Sequence, residues 1–138
     1  MPMPQEYQRA SEEFAAFLAD ARDELGQATR NQAYTSVQAV LLVFRDRLTP
    51  EQVLCFAAAL PAVLRALFVA DWWASERPLP FGERSMMTRE VQSHRRDHNF
   101  SPDTVIADVA RAMRRHTDAG RFAEALSRLP RAATDFWS

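Results

Sequence analysis

Apolar residues recur along this chain at spacings of three and four. One run passes through Val37, Val40, Leu41, Phe44 and Leu48, and a second through Val53, Phe56, Ala57, Leu60, Leu64 and Leu67. That period lines one side of an α-helix, so two core helices are expected, meeting at a turn. Thr49-Pro50-Glu51-Gln52 supplies the turn. It offers a hydroxyl to cap, a proline whose missing N–H costs nothing at the first helical position, and Gln52 to complete a capping box.

The same period predicts a helix from Glu6 to Leu25, with Phe14, Phe17, Leu18, Ala21 and Leu25 on one face and Gly26 as its stop. Asn31 is the expected cap of the second helix, which runs to about Arg47. The third begins at Pro50 and meets Pro61. A proline there removes the bond to the Ala57 carbonyl and disfavours helix at Leu60, so a kink or two short helices are expected. Residues 74–83, with two prolines and a glycine, read as a linker. Beyond it Ser85 is the expected cap of a fourth helix, with Met87 and Val91 inward, that breaks at His98-Asn99-Phe100. Ser101-Pro102 opens a fifth carrying Val105, Ile106, Val109 and Met113. Thr117-Asp118 caps a sixth carrying Phe122, Leu126 and Leu129, interrupted by Pro130.

The two halves match. Leu60-Pro61 and Leu129-Pro130 stand 69 residues apart, and at that offset Val37 meets Ile106, Val40 meets Val109 and Phe44 meets Met113. Arg45 meets Arg114, and Phe68 meets Trp137. The expected fold is therefore an all-α, six-helix bundle made by internal duplication of a three-helix unit, pseudo-twofold, with proline-kinked third and sixth helices. It forms one domain over 1–138, with the first repeat at about 5–73, the linker at 74–83 and the second repeat at about 84–137.

Composition narrows the function classes. A length of 138 residues is enough for one domain with a real core, and a net charge of −1 gives no field to recruit nucleic acid or an anionic membrane. All 17 basic residues are arginine. The single Cys55 forms no internal disulfide, fits a reducing compartment and points to a cytoplasmic protein. The N-terminus lacks a basic stretch followed by an apolar one, so no secretory signal is expected. Val53 to Ala70 is apolar apart from Arg65 and is broken by Pro61, which favours a buried core over a membrane span.

Ala39-Val40-Leu41, Phe44 through Glu51 (FRDRLTPE), Leu60-Pro61, Leu64-Arg65 and Trp72 resemble the first-half signature of the bacterial domain of unknown function 2267 family. His116-Thr117, Gly120, Leu129-Pro130 and Phe136-Trp137 resemble its second-half signature. The resemblance covers nearly the whole chain and rests mostly on packing residues. It implies a small, bacterial, cytosolic, all-α protein, with no activity to carry over. Arg121 stands where the family usually has an acid after the glycine, and Trp73 follows Trp72.

Chemistry-bearing constellations are few. His94 and His98 have the helical spacing of a metal-binding pair, but Arg95 and Arg96 lie between them and no third ligand is near in sequence, so no metal is expected. His116 follows Arg114-Arg115 at a helix end, where the dipole favours a cation. Arg111, Arg114 and Arg115 form a basic face that is a candidate anion site. Arg45, Asp46, Arg47 and Arg65 suggest a structural ion network in which Asp46 holds Arg65. Cys55, between Leu54 and Phe56, reads as a small hydrophobe. With three glycines and no phosphate loop, no catalytic residue and no cofactor is expected.

Comparing the halves position by position gives the nearest approach to function. Leu42 pairs with Arg111, Cys55 with Glu124, Ala59 with Arg128, Ala62 with Arg131 and Leu54 with Ala123. The first copy is the more apolar, and is covered either by its own chain or by another. Leu42, Leu54, Trp72 and Trp73 are the candidate interface. The leading expectation is a non-enzymatic protein-interaction module, acting as a homodimer or with a protein partner. The alternative is a small-molecule or anion-binding domain using the basic face.

Overall fold

The computed structural model describes residues 1–74 and 77–138; Ser75 and Glu76 of the expected linker lie outside the described residues. Among the described residues the protein is all-helical. The helices are α1 (Gln5–Gln8), α2 (Ala10–Leu25), α3 (Arg30–Arg45), α4 (Pro50–Ala57), α5 (Ala62–Val69), α6 (Arg84–Ser93), α7 (Val105–His116), α8 (Ala119–Ser127) and α9 (Arg131–Phe136), with a 3₁₀ turn at Arg96–His98.

Helix ends follow local hydrogen bonding. Gly26 ends α2 in the left-handed conformation at φ 65°, which a residue without Cβ adopts at no steric cost. The expected first helix is divided at Arg9 into α1 and α2. The cap of α3 is Thr29 rather than Asn31. Thr29 Oγ1 accepts from Gln32 N at 3.1 Å, and Gln32 Oε1 accepts from Thr29 N at 3.3 Å, a closed capping box two residues earlier. Thr49 and Gln52 close the same box on α4.

At Pro61 the chain forms two short helices, α4 and α5, with Pro61 as the N-cap residue of the second. Pro130 divides α8 from α9 in the same way. Helix α6 starts from Glu83 rather than Ser85, and no side chain caps it. Nor does Ser101 cap α7, because its hydroxyl is used elsewhere. It meets Ser36 Oγ at 2.8 Å and bonds to Asn99 Oδ1, so α7 begins at Val105.

The helix starts at Pro50 and Ala62 recur at Ala119 and Arg131, each 69 positions on. Helix α2 packs most extensively on α7, α3 packs on both α2 and α6, and α4 lies against α8. Each half thus buries its apolar stripe partly in the other. Leu60 and Leu129, each beside its proline, are both buried. The centre is aromatic. The Phe44 ring lies 4.8 Å from Phe56, 5.0 Å from Phe136 and 5.3 Å from Trp137, while Phe56 stacks on Trp137 at 5.6 Å. Offset and edge-to-face pairs at these separations are the favourable arrangements.

Among the described residues no helix is long and apolar enough to cross a membrane. The Val53–Ala70 stretch is spent on α4 and α5, with Val53, Phe56, Leu64 and Phe68 buried.

Candidate functional site

The arginines of this chain act first on helix ends. Arg45 donates from Nη1 to the carbonyls of Phe68 and Ala70, each at 3.0 Å, closing the C-terminal end of α5. Arg114, its counterpart, donates from Nε to the Trp137 carbonyl at 2.9 Å, and its Nη2 reaches the same oxygen. Phe68 and Trp137 also stand 69 positions apart, so an arginine meets the carbonyl at the same offset in each half, through Nη1 in one and through Nε and Nη2 in the other. Charge-assisted bonds to the last carbonyls of a helix suit its negative end. Burial lowers the Arg45 pKa from its ordinary value, against which Asp46 and Asp71 raise it.

Arg65 does not meet Asp46, which is exposed. It donates from Nε to the Ala57 carbonyl at 3.3 Å and from Nη2 to the Leu60 carbonyl at 3.0 Å, with Glu6 Oε2 at 3.4 Å. The Ala57 oxygen is the acceptor that Pro61 leaves without its helical donor. The short range won. Arg65 stands four residues beyond Pro61 and eight beyond the freed carbonyl, within reach of its long side chain, and that spacing was the available signal.

The basic face divides. Arg114 points to α9, whereas Arg111 and Arg115 meet acids on α2. Arg111 Nε lies 2.8 Å from Glu24 Oε2 and its Nη2 reaches Asp108. Arg115 Nη1 lies 2.6 Å from Asp20 Oδ1 and its Nη2 reaches Glu24. His116 Nε2 stands 3.0 Å from the other Asp20 oxygen, with its ring edge-on to Phe17 at 5.7 Å. All three guanidiniums are engaged within the chain, and the face reads as a clamp between α2 and α7. Asp20 and Glu24 could be matched to it from sequence only by knowing that α2 crosses to the other half.

Hydrogen bonds from Arg115 and then Arg111 hold the Glu24 carboxyl below its ordinary pKa. A carboxylate whose folded pKa is depressed adds stability above its unfolded value, near 4.3, and loses it as pH falls through the lower folded value. Glu24→Gln is therefore expected to lower the melting temperature at neutral pH, and the gap to the parent should narrow as pH falls below the unfolded value. Melting curves across pH check this; a gap that is the same at pH 3 and pH 7 would contradict it.

Of the candidate interface residues, Trp72 and Trp73 are brought together with Leu48 and Leu79 around a cleft of about 310 Å³, whose polar wall is Arg45, Asp46, Asp71 and Arg77. Trp73 is 91% exposed and Leu79 50% exposed. Asp71, at φ 52°, turns the chain from α5 into this wall. Leu54 is 61% exposed on α4 and Leu42 half-buried on α3, and neither lines that cleft. Cys55 and Ala59 line a groove with Arg121 and Glu124 of α8 and with Arg128 at its end. Their apolar character is thus matched to the other half of the same chain.

The His94–His98 spacing is not realised on a helix. Helix α6 stops at Ser93, Arg95 takes φ 51°, and His98 lies in the 3₁₀ turn. Asn99 secures the break, donating to the Val91 and His94 carbonyls at 2.7 Å each.

The second half carries a further cleft, of about 420 Å³, that the residue pattern did not announce. Its floor is Phe122 and Leu126, and its rim includes Arg114, Ala123, Ser127 and Thr134.

Among curated proteins none matches this chain. The family described as "Uncharacterized conserved protein (DUF2267)" matches residues 14–136, which span α2 through α9, and the chain belongs to that family.

Proposed function

We propose that this protein is a non-enzymatic protein-interaction module that associates through the tryptophan cleft of its first half, in the simplest form with a second copy of itself. The observation that carries the reading is Trp73, 91% exposed beside Leu79. A large aromatic left in water next to apolar and paired polar groups is the composition of a partner site. The acids Asp46 and Asp71 and the arginines Arg45 and Arg77 give the cleft both signs of charge, as a self-complementary two-fold contact requires.

The reading includes a history for the fold. One domain over 1–138 descends from a duplicated three-helix unit, supported by the helix starts at the common offset and by the paired Arg45–Phe68 and Arg114–Trp137 ties. The broken helices at Pro61 and Pro130 are the counterpart of the single kinked helix of that unit. The lone Cys55 is in keeping with a cytoplasmic location. The anion-binding alternative finds no support in the basic face, because Arg111 and Arg115 already face Asp20 and Glu24.

Sedimentation equilibrium tests the reading. The parent's mass is expected to rise toward two chains with concentration, while Trp73→Ser stays at one chain with an unchanged melting temperature. Trp73 is so exposed that its loss removes little packing within the chain. A parent that keeps a one-chain mass throughout, or a Trp73→Ser variant that associates equally well, would end it.

A further inference from the structure

The Arg65 tie has no equivalent in the second half. At the common offset Arg65 corresponds to Thr134, Ala57 to Leu126 and Leu54 to Ala123. The Ala57 oxygen takes the Leu60 N–H at 3.0 Å and also the Arg65 Nε; the Leu126 oxygen takes the Leu129 N–H at 3.0 Å, in the same turn before a proline. Where Arg65 lies in the first half, the second half has the 420 Å³ cleft edged by Thr134, Ala123 and Leu126. That volume falls within the range of ligand pockets, roughly 300–1,000 Å³.

We propose that the cleft between α8 and α9 binds the side chain of an arginine presented by a partner protein, which seats its guanidinium where Arg65 sits in the first half. The alkyl arm lies on Phe122 and Leu126, as arginine stems cover apolar surface. The guanidinium reaches the carbonyl end of α8, where the helix dipole favours a cation. Arg114 does not occupy the place, since its Nε and Nη2 are both committed to the Trp137 oxygen. In the first half Arg45 and Arg65 are held by different carbonyls, those of Phe68 and Ala70 against those of Ala57 and Leu60, and Arg65 also meets Glu6 at 3.4 Å. The hydroxyls of Thr117 and Ser127 donate to the Met113 and Glu124 carbonyls at 2.8 and 2.6 Å, which leaves their lone pairs to accept from a ligand. A forked donor fits this wall better than the point charge of an ammonium. The inference rests on the register of the two halves proposed above.

The test is titration of the full chain with N-acetylarginine methylamide and with butylguanidinium, followed by the NMR resonances of the Ala123, Leu126 and Thr134 methyl groups. Both probes are expected to give saturable shifts at those three residues, with butylammonium weaker by about tenfold, a factor worth about 1.4 kcal/mol. Thr134→Arg supplies the occupant from within. It should raise the melting temperature and abolish probe binding. Absence of shifts in the parent, or equal shifts with butylammonium or pentanoate, would overturn the site. If Thr134→Arg stabilises while the parent binds neither guanidinium probe, the register of the halves stands and the site falls. If Thr134→Arg neither stabilises nor blocks the probes, the register and the site fall together.

Discussion

Replacing Phe44 by alanine is expected to cost about 3–5 kcal/mol, the range for emptying an aromatic site in a packed core. Phe44 is fully buried, and its ring meets Phe56, Phe68, Phe81, Phe136 and Trp137. Those partners come from α4, α5, the 77–83 segment and the end of α9, so no single helix can shift to fill the space. The loss has two parts: the transfer free energy of the ring, and a cavity whose walls are themselves large rings held by other contacts. Against a total stability of roughly 5–15 kcal/mol for a domain of ordinary size, the variant should be partly unfolded at physiological temperature. Urea denaturation of parent and variant gives the difference directly. The near-UV circular dichroism of Trp137, buried in the same cluster, should weaken in the folded variant. A loss below about 1 kcal/mol would mean that the halves do not share one core.

The helices were legible where the chain decides its structure locally. Gly26, the Thr49–Gln52 box and Asp118 act as their residue types dictate, and the two prolines end helices where a missing N–H must. Two of the misplaced starts have identifiable causes. Ser101 and Asn31 are good caps by type, but Ser101 is drawn into a buried bond with Ser36 across the two halves, and Thr29 with Gln32 closes a box before Asn31. A distant partner, or a better neighbour, outbid the local preference.

The candidate site was legible in outline, and its polarity contrast was misleading at particular positions. Cys55 and Ala59 looked like a face awaiting cover, and they line a groove with α8 and the residue that ends it, the very Glu124 and Arg128 that stand opposite them at the 69-residue offset. When two copies pack through the same helix, matched positions meet, and one side must be small for the other to be long. Arg111 and Arg115 looked like an anion site because, apart from Asp108, the acids they meet are on α2, more than 85 residues away in sequence. Trp73 was legible from its place beside Trp72, and among the described residues its side chain is exposed.

Glu90→Ala is expected to destabilise the protein more than Arg47→Met, although both break the same ion pair. The Arg47 side chain is only 1% exposed. Its Nη1 donates to the Val43 carbonyl at 2.9 Å, its Nη2 lies 2.6 Å from Glu90 Oε1, and its Nε has no partner. Removing Glu90 leaves that cation buried without its counter-charge, a change that costs about 3–5 kcal/mol in a dry interior. Glu90 is 36% exposed, so water replaces part of the lost interaction and roughly 1–3 kcal/mol is the expected loss. Arg47→Met removes the charge and the unpartnered Nε while keeping an unbranched apolar arm, and buried pairs replaced by apolar groups of similar volume are often close to neutral. A separate tie, His116 to Asp20, still joins α7 to α2, so the halves remain docked in either variant. The double variant should lose little more than Arg47→Met alone, because Glu90 has nothing left to neutralise. Chemical denaturation of all four proteins gives the coupling energy, expected to exceed about 1 kcal/mol. If the two losses simply add, Arg47 does not depend on Glu90 and the pair contributes only its packing.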